Sequence, residues 1–235
     1  MGGTSRLKEE NKQKILSACV RLFLTQGFNE TPPRQIFEEA GVTSGTFYNL
    51  FRSKSGVLTE LTRFMFDNQF ISAGLSVGEG MSPVMLYAVE TSLQLTLTEL
   101  NENLREIYVE VYTKPEHIEF IRRKTTAQLL RIFSPYLPGR TESDFYEIEI
   151  GTAGIMRAYM ARECDMYFTL ERKLERFLRM TLGVFDVPED EIDRAVAFVL
   201  RLDIRGIADG VMQKLFAALE MRFDFSLTDE SEEAK

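Results

Sequence analysis

Ile15, Cys19, Leu22 and Gln26 follow one another at intervals of four, three and four, with Ala18 and Phe23 widening the apolar stripe. Gly27 stands where a left-handed residue ends such a helix. The segment after it constrains the fold more tightly. Between Thr31 and Lys54 there is room for only two short helices and a tight turn. The first runs from Pro33 to Ala40, after Thr31 and two prolines; Gly41-Val42 makes the turn; Thr43 and Ser44 offer hydroxyls to cap a second helix reaching about Leu50. Two short helices across a glycine-containing turn, leaning on a longer first helix, make a helix-turn-helix. Ile36, Phe37 and Ala40 are predicted to face the first helix, with Val42, Phe47 and Leu50 or Phe51 closing the core. Ser44, Gly45, Thr46, Tyr48 and Asn49 are left toward solvent. Ala40 to Phe51 is also the longest run without a charge, 12 residues. A solvated helix of small hydroxylated residues, one tyrosine and one asparagine suits a major groove, where small residues allow close approach and hydroxyls and amides meet base edges and phosphates.

The rest of the chain reads as helix nearly throughout, and the predicted fold class is all-α. Ser53 caps a linking helix through Val57, Leu61, Phe64 and Asn68 to about residue 73, and the glycine-rich stretch Gly74 to Ser82 is a domain boundary. Leu93, Leu95 and Leu97 alternate like a strand, but Leu93, Leu97, Leu100 and Leu104 fit a helix equally well. Helix is chosen because nothing else in the chain supports a sheet. Further helices are predicted near 104–113, 116–133, 142–167, 170–185 and 190–222. The expected organisation is a helix-turn-helix DNA-binding domain over residues 1–73 (helices about 8–26, 33–40, 44–50 and 54–73), a larger helical domain over 74–225, and a disordered acidic tail over 226–235.

Composition narrows the chemistry. A single histidine and two cysteines, Cys19 and Cys164, remove most Ser/His, Cys/His and multi-ligand metal sites, so no catalytic residue, metal or cofactor is expected. The charge-free run falls short of the roughly 18 apolar residues a bilayer span needs. The chain opens without a charged-then-apolar leader, so no membrane association is expected, and two free thiols suit a reducing cytoplasm. The net charge of −8 hides a split: nine Lys/Arg against six Glu give residues 1–66 a charge of +3, and the remainder carries −11. Such asymmetry points to a polyanionic partner for the N-terminal part.

The residues Ile15-Leu16-x-Ala18, Leu22-Phe23-x-x-x-Gly27-Phe28, Thr31, Ile36, Ala40-Gly41-Val42-x-x-Gly45-Thr46-Phe47-Tyr48-x-x-Phe51-x-x-Lys54 and Leu58 resemble the DNA-binding domain of the TetR (tetracycline-repressor-like) family of bacterial regulators. The resemblance covers about residues 9–71 without a gap. It implies an all-helical homodimer that binds a palindromic double-stranded operator, usually as a repressor, and lets go when a small molecule occupies the C-terminal domain. By position it implies phosphate contacts for Thr31 and Arg34, phosphate or base contacts for Thr43, Ser44 and Thr46, a phosphate hydrogen bond from the Tyr48 hydroxyl, a base contact for Asn49 and a further phosphate contact for Lys54. Two positions depart from the family pattern. Pro32-Pro33 replaces the usual threonine and small apolar residue, and Phe37 stands where alanine is commonest, which implies a repacked helix pair.

The C-terminal two-thirds carries no motif. Its Met and aromatic content suits a lipophilic effector, and Tyr108, Tyr112, His117, Arg157 and Tyr159 are polar residues on apolar faces that could meet one. His117, in a first turn after Pro115, is expected at the surface. Dimerisation is expected through helices 142–167 and 190–222, with Gly151, Ile155, Val199, Gly206, Gly210 and Leu215 at the interface, the glycines permitting close approach. A ligand-independent regulator controlled by abundance or a protein partner is the alternative, favoured by an interior without a cavity. A helical enzyme is a third reading, which no paired carboxylates or nucleophile–base spacing support.

Overall fold

A computed structural model describes residues 2–63 and 80–219. Helix α1 (Gly2–Gln26) is followed by α2 (Pro33–Glu39) and α3 (Ser44–Phe51), and a fourth helix, α4, begins at residue 54 and continues to 63. Then come α5 (Pro83–Leu100), α6 (Glu102–Val111), α7 (Pro115–Phe133), α8 (Glu142–Ala161), α9 (Leu170–Val184), α10 (Glu189–Val199) and α11 (Ile204–Ala218). Among the described residues there is no strand, and no helix is long and apolar enough to cross a membrane. The end of the linking helix, the Gly74 boundary and the acidic tail lie outside the described residues.

The ambiguous leucines of α5 are explained by its place in the fold. Leu93, Leu95 and Leu97 are all fully buried, because α5 is enclosed by α6, α7, α8, α9, α10 and α11. A helix buried on every side needs apolar residues on every side, so its pattern loses the helical period. Its threonines satisfy themselves: Thr91, Thr96 and Thr98 donate to the Tyr87, Ser92 and Leu95 carbonyls at 2.8, 2.8 and 2.7 Å.

Several boundaries move, each for a local reason. Helix α1 starts at residue 2 rather than 8. Helix α8 stops six residues before 167, because the Asp165 carboxylate accepts from the backbone N–H groups of Tyr167 and Phe168, both at 2.8 Å, and turns the chain. The expected single helix 190–222 is two helices. Leu200 ends α10, and the Asp203 side chain caps α11 by accepting from the Gly206 N–H at 3.0 Å.

That break rewrites the expected dimer residues. Val199 and Leu215 are buried within the subunit's own core. A Cβ on Gly206 would lie 2.2 Å from the Asp203 carboxylate, so this glycine accommodates the cap rather than a neighbouring helix. Ile155 is half-buried against the core and Gly210 half-buried with open space beside it, while Gly151 is exposed. Nearby, Ile150 on α8 and Met180 and Val184 on the adjoining α9 are large apolar side chains left in solvent.

The reading end is fastened to the larger domain at several points. Asn103 of α6 donates to the Leu24 carbonyl near the end of α1 at 2.9 Å, and the Asn29 carboxamide donates to Glu106. Gly27 has φ +93°, a backbone conformation that favours glycine, and lies close enough to α6 that a Cβ there would meet the end of the Glu106 side chain at 2.9 Å. Ser17 of α1 donates to the Leu219 carbonyl after α11 at 2.7 Å. Between α4 and α7, the Thr59 hydroxyl lies 3.0 Å from His117 Nδ1.

Candidate nucleic-acid interface and effector cavities

Helix α3 owes its start to Thr43, whose extended backbone and hydroxyl cap the Thr46 N–H at 3.1 Å, with the two threonine hydroxyls 2.9 Å apart. Phe47 and Phe51 anchor the helix inward, Phe51 rather than Leu50 taking the buried place. Phe37 packs its ring against Phe47 at 6.1 Å, the repacked helix pair implied by its size. The opposite face presents Ser44, Gly45, Tyr48 and Asn49 to solvent, with Thr46 half-exposed; Tyr48 is 48% exposed and its ring is braced edge-on by Phe47. This is an uncharged, donor-rich ridge on a rigid support. Arg34, on α2, is largely exposed and ion-paired with Glu38 at 2.7 Å, a hydrogen bond that raises its pKa further. Sequence reading passed over Arg52, an exposed cation in a left-handed conformation (φ +61°) where α3 ends; its position directly after the charge-free run was the available signal.

Two expected phosphate contacts are corrected. Thr31 is fully buried: its hydroxyl donates to the Gly27 carbonyl at 2.7 Å and accepts from the Gln26 carboxamide at 3.1 Å. Pro32-Pro33 thus start α2 without a side-chain cap, and Thr31 closes the turn instead of facing outward. Lys54 points back into the protein. Its ammonium donates to the carbonyls of Phe28, Thr31 and Asn29 at 2.6, 2.9 and 3.4 Å and sits 4.4 Å from the centre of the Phe28 ring. Burial lowers its pKa, an effect that Glu106 and Glu110 partly offset. All three ammonium protons are committed, so the side chain works as a staple.

The expected effector residues do not come together: Tyr108 and Tyr112 line two different cavities, and His117, Arg157 and Tyr159 line neither. An apolar cavity of about 550 Å³, counting its open mouth, lies where α1 and α4 meet α6 and α11; Tyr108 lines it, with a buried hydroxyl that has no hydrogen-bond partner. A more polar cavity of about 500 Å³, its open mouth included, lies between α5, α7, α8 and α9 and holds Tyr112, which donates to Gln94 at 2.8 Å. His117 is buried rather than at the surface, because α7 turns it toward Thr59 of α4. Arg157 is exposed, on the outer side of α8. Tyr159 packs edge-on against Phe168 and Phe177 at 5.9 and 6.0 Å and lines neither cavity. Two residues that sequence reading missed, Glu90 and Glu149, line the polar cavity and are only 2% and 4% exposed.

Fold and site together define a helix-turn-helix reader carried on an all-helical body. Residues 15–61 match the model of the bacterial regulatory proteins of the tetR family. The chain is 29% identical over 98 residues to the HTH-type transcriptional regulator YuxN of Bacillus subtilis, a match covering 42% of this chain and 32% of that protein. It is 30% identical over 92 residues to the HTH-type regulator YdgC of the same organism, covering 36% and 47%. These matches span about a third to a half of the relatives' lengths. A solved gamma-butyrolactone receptor (ArpA-like protein) shares the fold at a TM-score of 0.50 and 18% identity, covering 88% of this chain and 99% of that one. The reading domain is thus similar to that of bacterial regulators of the tetR family.

Proposed function

We propose that the protein is a transcriptional repressor that binds a palindromic operator as a homodimer and is released by a small molecule. The carrying observation is the outer face of α3, where Ser44, Tyr48 and Asn49 stand uncharged and exposed over the buried Phe47 and Phe51. Ser44, Thr46 and Asn49 would meet base edges or phosphate, Tyr48 and Arg34 phosphate, and Thr43 would hold the helix start. The relatives' role as transcriptional regulators supports this reading over an enzymatic one.

One subunit offers few phosphate contacts, so pairing supplies both affinity and the palindrome. The exposed Ile150, Gly151 and Gly154 of α8, beside Met180 and Val184 of α9, support pairing through that face. Two reading helices would then stand one DNA turn apart, roughly 34–36 Å. The two cavities favour ligand control over a ligand-independent regulator. Both touch elements that fix the reading end, one through α1 and α4 and the other through α7. A coupling of about 1–3 kcal/mol between cavity and reader lowers operator affinity roughly 5–150-fold.

The test is fluorescence anisotropy with the DNA upstream of the protein's own coding region, at two salt concentrations. Saturable binding of two subunits per palindrome, surviving excess unrelated DNA, is the expected result. If binding is only weak and erased by salt, and selection from random DNA also yields no preferred sequence, the reading fails.

A further inference from the structure

The polar cavity contains an electrostatic imbalance that the fold does not resolve. Glu90 from α5 and Glu149 from α8 both line it and are almost wholly buried. Glu90 is hydrogen-bonded to Gln94 but leaves its Oε1 without a partner, and Glu149 is bonded only to the neutral Thr152 hydroxyl, at 3.1 Å. Among the described residues neither carboxyl has an ion-pair partner. Arg122 and Lys124 of α7 are close enough to be felt, yet burial outweighs them and holds both acids far above the usual carboxylate range, Glu149 at about 8. The Tyr87 and Tyr112 phenols are also pushed upward, by burial first and then by these same two carboxyls. The remaining wall, from α9, brings Phe177.

Burying two unpaired acids costs stability that a pair of glutamines would not cost. An orphaned, deeply buried carboxyl oxygen on a residue that lines a cavity marks a place where a ligand can supply the missing partner. An anion would oppose the ionisation of either acid. A cation would balance the carboxylates once they ionise, and Tyr87, Tyr112 and Phe177 supply aromatic rings to the same lining, a setting that suits an organic cation.

We propose that this cavity is the effector site and takes a small organic cation, a quaternary or protonated amine on an apolar body, held by the carboxylates of Glu90 and Glu149. The proposal rests on the ligand-gated reading above and gives its effector a chemical class. Binding must strip protons from the acids, so each proton released raises affinity by about tenfold per pH unit until the carboxyl is ionised. The titratable groups facing the site are Tyr87 and Glu90 of α5, Tyr112 after α6, Arg122 and Lys124 of α7 and Glu149 of α8.

The test compares phenyltrimethylammonium with its neutral isostere tert-butylbenzene by calorimetry on the full-length protein. The cation is expected to bind at least tenfold tighter than the isostere and to tighten from about pH 6 to about pH 8, the range set by Glu149. Glu90→Gln and Glu149→Gln should each weaken the cation at least fivefold and leave the isostere unchanged or tighter. Equal binding of the two probes, no cation binding, or a double variant that keeps cation affinity overturns the proposal. Operator release is read separately by anisotropy. A cation that binds with the expected glutamate dependence but leaves the operator occupied sinks the ligand-gated reading, not the cation site.

Discussion

The hydroxyl of Thr59 lies 3.0 Å from Nδ1 of His117, joining the helix that follows the reading domain to the first turn of α7. Farther along, α7 supplies Thr125, Gln128, Leu129 and Ile132 to the wall of the polar cavity. One rigid helix therefore touches both the polar cavity and the reader's support. Thr59→Val keeps the shape and removes the bond, so it should cost about 1 kcal/mol of stability. The loosened reader should bind operator two- to fivefold more weakly. Unfolding in urea and anisotropy on the same variant check this. An unchanged operator affinity with the stability loss present would mean that the contact only packs the two helices together.

Lys54 makes an unusual prediction for a basic residue in a DNA-binding domain. Its ammonium is spent on the carbonyls of Phe28, Thr31 and Asn29, so Lys54→Met should destabilise the protein by about 1–3 kcal/mol by leaving those acceptors unmet. The slope of log affinity against log salt should stay as in the parent, because no phosphate contact is lost. A slope that falls by about one unit would show that Lys54 does reach the phosphate backbone.

Lys54 and Thr31 also show where sequence stops being legible. The helix-turn-helix could be read because its spacing is local: Gly27, Gly41 and Thr43 stand where their turns and cap require them, and Gly27 and Gly41 do have φ of +93° and +63°. Whether a polar side chain faces outward or closes a turn depends on contacts set by neighbouring helices, which spacing does not encode. Gly56 is similar. In the first turn of α4 a Cβ would come within 2.0 Å of the Phe51 carbonyl, a clash invisible in a pattern that tolerates glycine there. In the larger domain, one legible signal was passed over. Glu90 is the sole charge between Pro83 and Thr98 of α5, and Glu149 shares a face with Phe145, Ala153 and Met156. The break between α10 and α11 rests on the Asp203 cap, which a periodic apolar run conceals.

Tyr48 is exposed and held edge-on by Phe47, with its hydroxyl free to meet phosphate. A phosphate hydrogen bond from a neutral donor is charge-assisted, so Tyr48→Phe should weaken operator binding by about 1–2 kcal/mol, roughly 5- to 30-fold. Phosphate carries no sequence information, so operator and mismatched sites should lose affinity in the same ratio. Anisotropy on both checks it, and a changed preference between them would reassign Tyr48 to a base edge.

Glu149 links stability to pH with a sign opposite to that of an ordinary salt-bridged acid. Burial raises its folded-state pKa from 4.5 to about 8, with Thr152 and Arg122 opposing only weakly. A raised carboxyl pKa stabilises the fold while the proton is on in the folded state and loses that stabilisation as pH rises through the folded pKa. Ligand-free protein should therefore lose up to about 1.4 kcal/mol per pH unit between about pH 5 and about pH 8. Glu90, raised in the same direction, steepens the fall. Glu149→Gln has nothing to ionise at that position. Its stability relative to the parent should climb with pH, until at about pH 8 the variant is the more stable protein. Urea unfolding across the range measures both curves, and parallel curves would mean that Glu149 titrates as an ordinary carboxylate in the folded protein.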